Sequence, residues 1–242
     1  LLALLTFAGT ASADEYMDPQ TKVVYTYEPG SGRAMVKAMY KEVIDNGYGA
    51  ETDIVYHAGS PDAEGDVAIL ERFTVGTTEY VVTSISDGAF YQNRNIMSVS
   101  IPETVTYIGG WAFCGCNSLI AVQLPKGLTR IPKNMFHTCS QLVSVNIPSS
   151  VVAIEELAFY GCNSLTKLTL PAGLTFAGRN AFYGTPWYNA QYDEAPDGPF
   201  YIGPLLLGYK GDKSTGELVI KEGTTCVGYR AFYNCDGLTS ID

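Results

Sequence analysis

Apolar positions recur in a fixed order along most of this chain. Each unit reads Leu-x-x-Val-x-Leu-Pro, then Val or Leu, then Ile, then Ala-Phe, with a small or thiol residue three places after the Phe. The clearest unit holds Leu119, Val122, Leu124, Pro125, Leu128, Ile131, Phe136 and Cys139. The next holds Leu142, Val145, Ile147, Pro148, Val151, Ile154, Phe159 and Cys162. The alternating part predicts a short strand, with apolar residues facing a core and their neighbours facing solvent. Proline closes each strand because it has no N–H to give to a ladder. The Phe is expected on the opposite wall, where it closes the core of its coil.

The Ala-Phe pair sets the period. Phe90, Phe113, Phe136, Phe159 and Phe182 follow one another at 23 residues, with Met135 once in place of Ala. Phe232 comes 50 residues later, which is two periods and a surplus of four. Such a period marks a stacked array in which each unit touches only its neighbours. A single coil buries too little to offset the entropy of ordering it, so stability must come from stacking at about 4.8 Å between strands. The expected fold is a β-rich solenoid, a leucine-rich repeat array of 23-residue coils with an N-terminal β cap. Leu-x-x-Leu-x-Leu is the strand signature of such repeats.

Three segments depart from the period. Residues 1–13 are a short apolar stretch ending in Ala11-Ser12-Ala13, the small-residue pattern of a signal-peptidase site, and are read as a signal peptide truncated at its start. Residues 14–84 form the expected cap, with strands at Lys22–Tyr27, Ala34–Tyr40 and Asp53–Ala58 and a helical turn at Met39–Asn46. The solenoid is expected over 85–242, interrupted by an insertion at about 185–217. Within it, Gln191–Asp197 reads as an acidic loop and Phe200–Tyr209 as a strand or hairpin. Leu238–Asp242 reads as the first half of another strand, so the array is expected to continue past residue 242.

Charge narrows the partners. Fifteen Lys and Arg against 25 Asp and Glu give a net charge of −10, with no basic run. Nucleic acid and anionic membrane surfaces both need a basic footprint and are disfavoured. Thirteen residues are too few to span a bilayer, and no membrane insertion is expected of the mature chain shown.

Six cysteines suggest disulfides, but their spacing argues for free thiols. Cys116, Cys139, Cys162 and Cys235 share one repeat position, where stacking at about 4.8 Å disfavours the Cβ separation of about 3.8 Å that a disulfide needs. Together with Phe90, Phe113, Phe136, Phe159, Phe182 and Phe232 they are read as structural repeat core. Asn93 and Thr185 break the thiol row. Cys114 and Cys116 lack the spacing of a zinc site. There is no His-Glu-x-x-His, no Gly-x-Ser-x-Gly and no phosphate loop, so no catalytic residues, metal or cofactor are assigned. Asp193, Glu194 and Asp197 lack the spacing of a calcium loop and read as solvated acid.

Two surfaces are candidates for binding. The outward strand positions Ser98, Ser100, Ala121, Gln123, Ser144, Asn146, Lys167 and Thr169, with Ser240 further on, should line one sheet face. Tyr91, Tyr160, Tyr183 and Tyr233 each follow a repeat Phe and either offer contact area or pack along the stack.

The strings AFCGCNSLIAVQLP and AFYGCNSLTKLTLP resemble the BspA-type leucine-rich repeat of bacterial surface proteins. The segment from Gly184 to Phe232 resembles that family's insertion-bearing repeat, and the lead-in GDVAILERFTVGTTEYVVTSISDGAF is similar to the segment that opens its arrays. The resemblance covers roughly residues 65–242. It implies a secreted or cell-surface protein that binds host or microbial surface or extracellular-matrix proteins in adhesion, without a shared catalytic motif. Two other roles stay open: a spacer that presents a further domain, and the repeat region of a larger secreted enzyme.

Overall fold

The computed structural model describes residues 13–37, 40–45, 52–57, 59–211, 216–233 and 235–242. The signal-peptide reading of residues 1–13 therefore lies almost wholly outside the described residues.

The N-terminal strands are β1 (Asp14–Met17), β2 (Val24–Tyr27), β3 (Arg33–Val36), β4 (Tyr40–Asp45), β5 (Thr52–His57), β6 (Gly65–Ala68), β7 (Arg72–Val75) and β8 (Thr78–Ile85). A sheet runs β1-β2-β3-β8, with β7 antiparallel to β8. Its inner face gathers Tyr25, Tyr27, Phe73 and Tyr80, with Tyr16 stacked on Phe73 at 4.5 Å. These alternating aromatic positions belong to the same buried core as the repeat residues Phe90, Ile108 and Phe113. β4 and β5 pair antiparallel from Tyr40↔His57 to Asp45↔Thr52. The helical turn expected at Met39–Asn46 is, over its described residues 40–45, a strand, because Val43 and Ile44 belong to a hairpin rather than to an isolated amphipathic turn.

The repeats supply β9 (Ile96–Ser100), β10 (Tyr107–Ile108), β11 (Ala121–Gln123), β12 (Arg130–Ile131), β13 (Ser144–Asn146), β14 (Ala153–Ile154), β15 (Lys167–Thr169) and β16 (Phe176–Ala177). A parallel sheet runs β6-β9-β11-β13-β15. Ala121 pairs Ser98, Ser144 pairs Ala121 and Lys167 pairs Ser144, so equivalent residues of successive coils lie side by side. A second parallel sheet joins β12, β14 and β16, while β10 pairs β8.

The Ala-Phe turn builds a third ladder on the far wall. Phe90 N–H donates to Ala112 O at 2.8 Å, Phe113 to Met135 O at 3.0 Å and Phe136 to Ala158 O at 2.8 Å. The buried rings stack in file, 5.1 Å from Phe90 to Phe113, then 5.7 Å, 5.4 Å and 6.2 Å on to Phe182. Each coil also needs two left-handed residues around this turn. Trp111, Asn134, Leu157 and Asn180 take the first with φ between 52° and 57°; Gly115, Thr138, Gly161 and Gly184 take the second. A left-handed Trp or Leu is strained by about 1–2 kcal/mol and persists because the stacked turns on either side fix it.

After Phe182 comes α1 (Pro186–Glu194), then β17 (Gly198–Ile202), β18 (Leu205–Lys210), β19 (Glu217–Leu218), β20 (Cys226–Val227) and β21 (Ser240–Ile241). The expected acidic loop at Gln191–Asp197 is corrected: its first half is helix. Thr185 caps that helix by accepting from Tyr188 N–H, and Pro186 starts it. β17 and β18 form a hairpin, and β18 runs parallel to β20. Trp187 meets Phe182 edge-on at 5.3 Å and ends the ring file. Phe232 and Cys235, expected in the core, are half-buried: they lie after the α1 and β17–β18 insertion, outside the ring file that runs from Phe90 to Phe182.

Candidate functional site

The eight outward strand positions come together as the alternation requires. Ser100, Ala121, Gln123, Ser144, Asn146, Lys167 and Thr169 are exposed and Ser98 is half-buried, while the intervening Val99, Val122, Val145 and Leu168 are buried. The parallel register sets Ser98, Ala121, Ser144 and Lys167 in one row, with Ser100, Gln123, Asn146 and Thr169 beside it. Ser240, in β21, belongs to a separate two-stranded sheet.

Two parts of this face escape the sequence pattern. The first is β6, which pairs β9 and brings Asp66 beside Ser98 and Ala68 beside Ser100. Ser98 donates its hydroxyl to Asp66 Oδ1 at 2.6 Å. The second is a row of exposed apolar side chains, Met97, Ile120 and Val143, which are 46%, 48% and 42% exposed. Ile120 N–H donates to Met97 O at 2.8 Å and Val143 N–H to Ile120 O at 3.3 Å, so the row is held in file by the backbone. A shallow groove of about 610 Å³ lies at its start, flanked by Glu64, Arg94 and Gln141. The face therefore combines small polar groups, a narrow apolar edge and few charges. Such a surface can dock a partner.

The tyrosine row is less uniform. Tyr160 and Tyr183 stack at 5.7 Å, and His137 stacks on Tyr160 at 5.2 Å. Between these and Tyr91 stands Cys114, whose Sγ lies 3.7 Å from His137 Nδ1. Tyr233 belongs to the coil after the insertion and receives the Arg230 guanidinium at 4.7 Å.

The thiol row is internal. Cys116, Cys139 and Cys162 donate to the carbonyls of Phe90, Phe113 and Phe136, each at 3.0 Å. All six cysteines are free. Burial pushes the Cys114 thiol up to about 11 and that of Cys162 up to about 12, and it raises Cys116 and Cys139 well above the ordinary thiol value as well. Thiols held this far above neutrality are protonated and unreactive. Among the described residues, no group of three or more His, Cys, Asp or Glu is placed to hold a metal ion. No helix among them is long and apolar enough to cross a membrane.

Comparison with known proteins agrees with this geometry. No curated protein matches the chain. Its backbone is similar to that of a leucine-rich repeat protein from T. pallidum, with a TM-score of 0.56 at 20% identity, over 92% of this chain and 91% of that one. It is also similar to a leucine-rich repeat protein from Bacteroides ovatus, with a TM-score of 0.53 at 20% identity. That match takes in 93% of this chain but spans only 64% of the Bacteroides protein. Six copies of the BspA type leucine rich repeat region match residues 82–194 and 209–242, more than half of the sequence. The strand-rich repeat architecture and these matches give one conclusion: the chain belongs to the BspA type leucine-rich repeat family.

Proposed function

We propose that this chain is a non-catalytic protein-binding module of a secreted or cell-surface adhesion protein. In this reading 23-residue coils stack into one array, residues 14–84 cap its first coil, and residues 1–13 are the leader. The observation that carries the reading is the sheet face. Five parallel strands present small polar side chains beside the apolar row Met97–Ile120–Val143. Little side-chain entropy is lost when a partner covers Ser98, Ser100, Ala121, Ser144 and Thr169, and the apolar row supplies the area that drives association. The partner is an extracellular-matrix or cell-surface protein.

Retention of matrix proteins on the immobilised chain tests the reading. Saturable capture of at least one, abolished by Ile120→Arg, supports a binder. Absence of capture from matrix and from intact cells assigns the chain the role of a spacer instead.

A further inference from the structure

The flank of the array carries a second groove, of about 550 Å³, which takes no part in the sheet face. Three repeat rows meet in it. Asn117, Ser140 and Asn163 form one row, and Tyr160 and Tyr183 form another. Between them Gly161 and Gly184, both left-handed and without side chains, open the floor above Thr138.

The groove offers neutral hydrogen-bonding groups and aromatic carbon together. Among the described residues, the amides of Asn117 and Asn163 and the hydroxyls of Tyr160 and Tyr183 have no hydrogen-bond partner. Tyr160 is covered on both faces, by His137 and Tyr183, so it presents an edge. Tyr183 ends that stack and is 57% exposed. No charged side chain lines the groove, and the net charge of −10 opposes polyanions in general. Burial lowers the His137 pKa, which keeps the base of the stack neutral.

This chemistry suits a sugar. Hydroxyls pair with amides and phenols, and C–H faces pack on aromatic rings. The spacing suits a polymer of sugars. Coil groups repeat at 5.2 Å from His137 to Tyr160 and at 5.7 Å from Tyr160 to Tyr183. An extended β-linked glycan rises about 5 Å per unit, close to the strand spacing of about 4.8 Å. We propose that this groove binds an uncharged linear polysaccharide, with about one sugar unit per coil.

Calorimetry of the full chain with cellohexaose, chitohexaose and mannohexaose, and with a heparin hexasaccharide as the charged control, tests the proposal. At least one neutral hexamer is expected to bind, about tenfold tighter than its disaccharide. Heparin is expected not to bind. Tyr183→Ala and Asn163→Ala each weaken the neutral glycan about tenfold with melting unchanged, whereas Gln123→Ala on the sheet face leaves it as it was. Three results overturn the proposal: no neutral hexamer binds at millimolar concentration, heparin binds as well as they do, or binding survives both groove substitutions.

Discussion

The side-chain amide of Asn93 donates to the main-chain carbonyl of Ala63 at 2.8 Å, tying the first coil to the loop that precedes it. The same amide reaches Ser60 O at 3.1 Å and Pro61 O at 3.3 Å, while its oxygen accepts from Asn95 N–H and Ile96 N–H. In the next coil that position is Cys116, which needs only the Phe90 carbonyl. Asn93→Cys restores the repeat pattern yet leaves buried carbonyls unpaired. It should cost at least about 2 kcal/mol, read as a lower urea midpoint. A variant as stable as the parent would show that the amide does not hold this junction.

Phe136 sits in the middle of the ring file, buried between Phe113 and Phe159. Phe136→Ala should cost about 3–5 kcal/mol and Phe136→Leu under about 1.5 kcal/mol. Phe232→Ala, at a half-buried ring, should cost clearly less than Phe136→Ala. Equal losses at both sites would contradict an internal file that ends at Trp187.

Cys114, Cys116, Cys139 and Cys162 are buried, while Cys226 and Cys235 are half-buried. A thiol reagent should label at most the latter two in the native state and all six after unfolding. The raised thiol pKa values also set an alkaline limit. Above the ordinary value of 9.0 the unfolded chain loses protons that the folded chain keeps, so stability falls as pH rises. A flat stability profile between pH 8 and pH 11, measured by urea titration, would contradict burial of the row.

His137 shows the opposite trend. Its folded pKa lies below the ordinary 6.5, so between the two values the unfolded chain holds the extra proton. Its contribution to stability is complete above 6.5 and is lost as pH falls toward the folded value. His137→Tyr, which continues the stack of Tyr160 and Tyr183, should flatten this acid-side slope. An unchanged slope would place its origin in other groups.

How much of this was legible depended on phase. The Leu, Val and Ile rows and the ring file could be read because their spacing never drifts between Ile96 and Phe182. β6 was missed as a member of the binding sheet because Val67 pairs Val99 out of phase with the 23-residue step. The row Met97, Ile120 and Val143 hid in variable positions of the strand signature. α1 has no basic residue in its last turn, and its carboxylates oppose the helix dipole there. It is held by tertiary contacts instead: Lys210 Nζ donates to Asp193 O at 2.6 Å and to Ala195 O at 2.7 Å. The left-handed Trp111 and Leu157 carry no local signal, since neighbouring coils impose their conformation.

The central claim is that the five-stranded face carries protein binding. Surface plasmon resonance with the captured matrix protein tests it most directly, comparing the parent with Ile120→Arg, Gln123→Glu and, on the groove side, Tyr183→Ala. A charge set in the apolar row should raise Kd at least about tenfold, with Gln123→Glu intermediate and Tyr183→Ala without effect. Full affinity in the Ile120→Arg protein, or loss of binding only in Tyr183→Ala, would contradict the account.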